Sequence, residues 1–173
     1  MASWCDRELA AGLNHRLTIV RVPDGGYPDV AQDLIRRWAR VAVVPVVMLP
    51  LTRQDCCPEC LLDHLEAALM AEIDPVPRSR RSPEERLVDL INGLMGASQG
   101  LALVLVGLEA VLSPEVRDLI EMLVDYLPPA VHLYFVTPIR LPLRNLARLR
   151  VRRQLLEIVC GHSESPDSAD GGP

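Results

Sequence analysis

Short apolar runs alternate with amphipathic helical patterns along almost the whole chain, and this alternation limits the fold more than any other feature. Strands that alternate with helices form a parallel sheet with right-handed crossovers and helices on both faces. Pro45 lies in the second run and predicts an edge strand, because proline cannot donate a hydrogen bond to the ladder. The sequence predicts an α/β three-layer sandwich with a five-stranded parallel sheet, its strands at 17–22, 42–49, 101–107, 131–136 and 154–159.

Capping residues indicate where several of the intervening helices begin. Ser82 and Ser113 are each followed by proline, a pair of residues typical of an N-cap and the first helical position. Asp29 predicts a further N-cap. A short helix over 7–16 is expected to precede the first strand, and a short basic helix is expected over 143–150. The predicted helices begin near residues 7, 29, 58, 82, 113 and 143.

The composition suits one aliphatic domain. The chain has 173 residues, of which 49% are hydrophobic and 3% aromatic, so Leu, Val, Ile and Ala must fill the core. A chain of this length buries roughly two-thirds of its unfolded surface and needs neither disulfide nor metal to fold. We predict one domain over 1–160, with a Pro- and Arg-rich linker at 74–81. Ser, Asp, Gly and Pro predominate over 161–173 and predict a disordered tail.

Several features bear on where the protein resides and what it contacts. No apolar run approaches the roughly 18 residues that span a bilayer, and residues 1–6 lack the basic segment and apolar core of a signal peptide. Four of the five cysteines lie outside any regular framework, which fits a reducing compartment with free thiols. We therefore expect a cytoplasmic protein without membrane contact. The net charge of −5 argues against direct binding to nucleic acid.

The segment Cys57-Pro-Glu-Cys60, with Cys56 before it and His64 after it, allows two interpretations. A CxxC pair with a histidine one turn further along a helix can hold a metal. The alternative is an ordinary helix start, which is favoured because no second pair follows at zinc-finger spacing. A thioredoxin-like role is not predicted either, since that motif follows the first strand of a different topology. The sequence therefore predicts no metal.

One basic cluster lies in the last third of the chain. It allows either a patch for phosphate or nucleic acid, or a solvated face paired with some of the 23 acidic residues. The second interpretation is favoured, because few aromatic residues are available for base stacking. The first three members are predicted to share one helical face. The cluster consists of Arg140, Arg144, Arg148, Arg150, Arg152 and Arg153.

The loop after the first strand resembles a phosphate-binding loop that has lost its chemistry. Such a loop reads G-x-x-x-x-G-K-[ST], where backbone amides hold phosphate, the lysine reaches the β- and γ-phosphates, and the hydroxyl ligates Mg²⁺. Here Gly25 and Gly26 are followed by Tyr27, and Pro28 and Asp29 stand at the lysine and threonine positions. A register shifted by one residue does not help, because the chain contains no lysine.

Several segments together resemble one known family. Arg16-Leu-Thr-Ile-Val leads into the loop, Pro45-Val-Val-Met-Leu-Pro-Leu forms the second run, and Asp55-Cys-Cys-Pro58 opens a helix. With 127–133, 146–150 and 154–157, these residues resemble the nucleotide-binding domain of MalT-like, LuxR-type regulators, which are signal-transduction ATPases with numerous domains (STAND). The resemblance implies a P-loop NTPase fold with strand order 5-1-4-3-2.

This chain departs from the family at the positions that carry the chemistry. The resemblance places two Mg²⁺-binding acids after the third strand, but Val106 and Gly107 occupy these positions, and Glu109 lies two to three residues late. The sensor arginine corresponds to Pro138, with Arg140 as a displaced substitute. We therefore predict that the protein is not an enzyme and requires no cofactor.

The predicted function is that of a catalytically inactive, stand-alone P-loop-like domain that acts as a regulatory or interaction module in transcriptional or signalling control. Its partner is expected to be a protein, either a second copy or a full-length STAND-type regulator. The alternative is a domain that binds a nucleotide without hydrolysing it, through a remnant site formed by Gly25, Gly26, Tyr27 and Arg140.

Overall fold

The computed structural model describes residues 4–23, 27, 29–69, 82–96 and 100–160. Its five strands form a single parallel sheet in the order β2-β3-β4-β1-β5. The predicted α/β class and the strand order implied by the family resemblance are both confirmed. The strands are Leu17–Arg21 (β1), Val46–Pro50 (β2), Leu101–Val106 (β3), Val131–Thr137 (β4) and Leu155–Val159 (β5).

Helices cover both faces of the sheet. Side chains of α1 and α2 pack with Val20, Val104 and Tyr134 on one face. On the opposite face, Ile19 and Leu103 pack with the other four helices, because successive side chains of a strand point to opposite sides. The helices are Trp4–Ala11 (α1), Asp29–Ala39 (α2), Pro58–Leu69 (α3), Pro83–Leu94 (α4), Pro114–Tyr126 (α5) and Leu146–Val151 (α6).

The predicted serine caps are confirmed. Ser82 Oγ accepts a hydrogen bond from the Glu85 amide at 3.3 Å, and Glu85 Oε2 accepts one in return from the Ser82 amide at 3.1 Å. Ser113 Oγ accepts from the Val116 amide at 3.2 Å. Asp29 differs from its prediction, since α2 begins at this residue rather than after it. The linker at 74–81 and the tail at 161–173 lie outside the described residues.

Two other elements differ from their predicted bounds. The edge position of β2 is confirmed, but the strand begins at Val46 rather than at residue 42, and Val43 is 87% exposed. The first helix ends at Ala11 and a 3-10 turn follows, Gly12–Asn14. A Cβ at Gly12 would lie 2.6 Å from Thr18 Oγ1 and from Tyr134 Oη, so only glycine fits beneath the sheet at this turn.

The prediction of free thiols is wrong for one pair of cysteines. Cys57 and Cys60 form a disulfide, with their Cα atoms 5.3 Å apart. The first turn of a helix brings residues three apart onto one side of the chain, within the span that a disulfide bridges. Cys56 is exposed and takes no part in a disulfide. No helix among the described residues is long and apolar enough to cross a bilayer.

Candidate functional site

The carboxyl ends of the parallel strands meet at one edge of the sheet, which is where α/β folds of this kind bind their ligands. Three described parts of the chain meet there: Tyr27, the turn that follows β3 at Gly107, and the end of β4 at Val136 and Thr137. Of the four residues predicted to form a remnant nucleotide site, the structure describes Tyr27 and Arg140. Gly25 and Gly26 lie outside the described residues.

Tyr27 lies over the ends of β3 and β4. Its hydroxyl donates a hydrogen bond to the Val136 carbonyl at 3.2 Å, and the Gly107 amide donates to the same oxygen at 3.1 Å. Gly107 has a φ of 88°, and a Cβ placed on it would lie 3.0 Å from the Leu51 carbonyl oxygen and 3.7 Å from Tyr27 Oη. A side chain at position 107 would therefore begin in contact with the Tyr27 phenol and too close to the Leu51 carbonyl.

The chemistry at this place is that of a neutral phenol beside an acid. Burial raises the pKa of Tyr27 well above its usual range, and the negative charge of Glu109 raises it further. One carboxylate oxygen of Glu109, Oε2, is buried and accepts no hydrogen bond from the described part of the chain. The Tyr27 hydroxyl therefore stays protonated and acts as a donor, and the nearby charge is negative.

The end of β4 also directs its polar group into the protein. The fully buried Thr137 hydroxyl accepts a hydrogen bond from the Ile139 amide at 3.2 Å and lies at the same distance from the Ile139 carbonyl. Val106, at the end of β3, is 2% exposed. None of the side chains at 106, 107 and 137 therefore offers a free carboxylate or hydroxyl to a metal ion or a phosphate.

Arg140 lies at a different feature, a cavity of about 360 Å³ beside β1 and β5. Arg21, at the end of β1, and Arg150, in α6, also line it, together with three aliphatic side chains and Glu157. Arg150 donates to Glu157 at 2.8 Å. Arg21 and Arg140 form no ion pair with any described residue. The cavity therefore contains three guanidinium groups and one carboxylate.

Much of the remaining basic cluster is paired with acids, which confirms the favoured interpretation for those residues. The predicted common helical face is wrong, because α6 begins only at Leu146 and leaves Arg140 and Arg144 in the preceding loop. The loop still holds Arg144 close to α5, where its backbone amide donates to Glu121 Oε1 at 2.6 Å. The ion pairs are Arg144 with Asp118 and Glu121, Arg148 with Asp125, and Arg150 with Glu157.

A second polar group, not identified from the sequence, lies after the edge strand. The Asp55 side chain is buried, and its Oδ2 accepts hydrogen bonds from the Thr52 amide at 2.7 Å and the Thr52 hydroxyl at 3.2 Å. His64 Nδ1 donates to Asp55 Oδ1 at 3.0 Å. The T-x-x-D spacing of a capping box was the available signal. Among the described residues, no three His, Cys, Asp or Glu side chains cluster as metal ligands would.

Comparisons with known proteins bear on the fold. No protein-family model matches the chain, and no curated protein matches it with significance. The chain is similar to the crystal structure of Cdc6p from Pyrobaculum aerophilum, with a TM-score of 0.59 and 17% identity over 88% of this chain and 44% of that one. It is also similar to the structure of Drosophila ORC bound to AT-rich DNA and Cdc6, with a TM-score of 0.56 and 16% identity over 89% and 52%.

The chain spans about half the length of each of these two structures, and the sequence identities are low. The similarity therefore concerns the shared α/β unit. The more specific resemblance to MalT-like regulators stays a hypothesis. Strand order, crossovers and structural similarity agree on one conclusion: this chain has a P-loop NTPase-like fold.

Proposed function

We propose that the chain is a catalytically inactive P-loop NTPase-like domain that acts as a regulatory or protein-interaction module. The observation that carries the proposal is the position of Tyr27, whose phenol hydrogen-bonds to Val136 and faces Gly107. In an active site of this fold, a carboxylate beside the γ-phosphate holds Mg²⁺ at the end of β3. Here Val106 and Gly107 stand at that place, and the neutral phenol of Tyr27 lies beside Gly107.

The surrounding charges support the same conclusion. Phosphoryl transfer depends on positioning and on neutralising the charge of the phosphates. The chain contains no lysine, and Asp29 places a negative charge in the first turn of α2, where an anion would otherwise be favoured. Glu109 adds a second negative charge close to Tyr27. A triphosphate at this place would meet two acids and no lysine.

The proposed partner is a protein, and a groove between α4 and α5 fits one. The groove has a volume of about 330 Å³ and is lined by Val88, Met122 and three acidic side chains of α4. Val88 is 48% exposed, and Met95, just after the end of α4, is 71% exposed. An apolar floor with an acidic rim suits an amphipathic helix with basic residues on its flanks, presented by a full-length STAND-type regulator.

The groove can be tested with a defined probe. A fluorescent peptide helix with leucines on one face and arginines on both flanks should bind the protein, and the affinity should fall as salt is added. Val88→Arg should abolish binding, because it places a cation in the groove. Val151→Arg is the matched control, since Val151 is 85% exposed on α6. Equal loss with both variants would contradict this surface, and dimerisation abolished only by Val88→Arg would identify a second copy as the occupant.

Catalytic inactivity is tested by release of phosphate from Mg²⁺-ATP. We expect no turnover above buffer for the unmodified chain, for Tyr27→Ala or for Tyr126→Ala, a control that alters a 70% exposed tyrosine on α5. Turnover by the unmodified chain that Tyr27→Ala changes and Tyr126→Ala does not would contradict the proposal. It would place an active site at the carboxyl ends of β3 and β4.

A second candidate function is binding of an anionic ligand without hydrolysis, and the arginine-lined cavity is the observation that favours it. Two of its three guanidinium groups, those of Arg21 and Arg140, have no carboxylate partner among the described residues, and arginine forks bind phosphate with two hydrogen bonds. Pyrophosphate and ADP are suitable probes. Binding measured by calorimetry should be lost in Arg21→Ala and Arg140→Ala and retained in Arg53→Ala, where the arginine is exposed after β2.

A further inference from the structure

Two pairs of side chains lie close in sequence at the start of α3, and we call them together the thiol site: Cys57 and Cys60 form a disulfide, and His64 hydrogen-bonds to the buried Asp55. It follows the edge strand β2 in sequence and shares no residue with the lining of the arginine-lined cavity. We propose that the thiol site is redox-active and that Cys57 and Cys60 exchange reversibly between disulfide and dithiol with a partner disulfide or thiol. This activity is additional to the proposed interaction role.

The position of Cys57 at the helix start suits a nucleophilic thiolate. Its Sγ accepts a hydrogen bond from the Cys60 amide at 3.2 Å, and its carbonyl accepts one from the Leu61 amide at 3.0 Å, so Cys57 caps the twelve-residue helix α3. Helix N-termini carry a partial positive charge and favour thiolate over thiol. Cys57 is partly buried and Cys60 is exposed, so a partner can reach the pair.

His64 supplies a group that can carry a proton. It lies one turn after Cys60 on the same helix, and residues four apart are neighbours on a helix surface. Asp55 fixes the ring by accepting a hydrogen bond from Nδ1, and two hydrogen bonds from Thr52 hold the Asp55 carboxylate. The His64 side chain is 39% exposed, so solvent can reach the ring. Asp55 acts here as a positioning residue.

The exchange balances as a two-electron transfer. In the reduced protein, the Cys57 thiolate attacks one sulfur of a partner disulfide, the partner S–S bond breaks, and one partner thiolate leaves and takes up a proton. Cys60 then gives its proton to His64 and attacks the Cys57 sulfur. This step forms the intramolecular disulfide and releases the second partner thiolate, which is protonated in turn. The protein pair is oxidised and the partner disulfide becomes two thiols.

The first test is a redox equilibrium on the full chain. The protein is incubated in buffers with varied ratios of reduced to oxidised glutathione, free thiols are then alkylated, and the masses are measured. We expect a transition of two thiols together at an intermediate ratio. The transition should be retained in Cys56→Ser and lost in Cys57→Ser and Cys60→Ser. A pair that remains a disulfide in a large excess of reduced glutathione, or never forms one in oxidised glutathione, would overturn the proposal.

The second test concerns His64 and Asp55. The reduced protein is mixed with oxidised glutathione, and the rate of disulfide formation is followed. Positioned proton transfer contributes about 100-fold or more, so we expect His64→Ala to slow exchange by about 100-fold. Free imidazole should restore part of the rate, which a purely structural role would not allow. Asp55→Asn should cause a smaller loss, and Arg53→Ala none. An unchanged rate in His64→Ala would overturn the role assigned to His64.

Discussion

The two halves of the carboxyl edge of the sheet differ in shape and in charge. Over β3 and β4 the edge is closed, because the Tyr27 phenol packs beside Gly107. The charge near this phenol is the negative charge of Glu109. Beside β1 and β5 the structure is open, with a cavity of about 360 Å³ that extends from Arg21 at the end of β1 to the middle of both strands and has an excess of guanidinium groups. The closed half is where P-loop NTPases carry out phosphoryl transfer, and the open half brings together three arginines of the described part of the chain.

A P-loop NTPase normally binds an anion and hydrolyses it at one place, and the difference between the two halves separates these two properties. Holding an anion needs donors and positive charge, whereas hydrolysis also needs a metal ion with its carboxylates and a placed water. The donors and the positive charge lie beside β1, where they belong to Arg21, Arg140 and Arg150. At the end of β3, Val106 and Gly107 have no side-chain ligand for the metal ion that hydrolysis needs. We therefore propose that the chain can hold a charged group but does not convert it.

The largest expected effect is on the closed half and follows from restoring an acid there. Gly107→Asp should destabilise the protein by about 2–4 kcal/mol, because a non-glycine residue at φ 88° is strained and its Cβ would lie 3.0 Å from the Leu51 carbonyl. Urea unfolding measures this change. Gly96→Asp is the control, since its nearest contact would be 3.5 Å at an ordinary backbone conformation. Equal stability of the two variants would show that the closed half is not tightly packed.

A smaller effect is expected on the open half. Glu157→Gln should strengthen pyrophosphate binding about fivefold, which corresponds to about 1 kcal/mol, because Arg150 would lose the carboxylate that competes with the ligand. Calorimetry measures the affinity. Glu59→Gln is a suitable control, since Glu59 is an exposed acid on α3. Weaker binding in Glu157→Gln would contradict the view that the cavity attracts anions.

The smallest effect concerns the phenol itself. Tyr27→Phe should lower the free energy of unfolding by about 0.5–1.5 kcal/mol near neutral pH, because it removes the hydrogen bond from the phenol to the Val136 carbonyl. That carbonyl still accepts a hydrogen bond from the Gly107 amide. Because the folded-state pKa of Tyr27 is raised, its contribution is fully present below about pH 10, the ordinary tyrosine pKa, and is lost as the pH rises above it. Tyr27→Phe should therefore flatten this alkaline loss, as urea unfolding at each pH would reveal. Tyr126→Phe, which alters an exposed ring, should leave it unchanged.

The sequence was sufficient for the sheet and for most helices, because these follow from local patterns. Aliphatic runs such as 101–107 and serine caps such as Ser82 are signals contained within a few residues, and the structure confirms them. The strand order came from the family resemblance rather than from any pattern in the chain. Helix starts without a cap were less well placed, as the later beginning of α6 at Leu146 illustrates.

The sites were less predictable because they join distant segments. Tyr27 meets the Val136 carbonyl 109 positions away, and nothing in the loop sequence indicates that contact. Arg140 was chosen as a displaced sensor, but its neighbours Arg21 and Glu157 became evident only from the structure. The Cys57–Cys60 pair lies within one helical turn, and general composition argued against it. Contacts between side chains that are far apart in sequence depend on how the helices and strands pack, and the hydrophobic periodicity of each segment does not predict that packing.

The most direct test of the central claim is the thermal stability of the unmodified chain with and without millimolar Mg²⁺-ATP. A ligand at a hundred times its dissociation constant stabilises a fold by about 2.7 kcal/mol, which raises the melting temperature of a domain of this size by about 5–10 °C. If the β3–β4 edge is closed by Tyr27, the Mg²⁺ and γ-phosphate site is absent, and ATP should shift the melting temperature no more than pyrophosphate does, with or without Mg²⁺. A shift of several degrees that requires both ATP and Mg²⁺ would contradict the account.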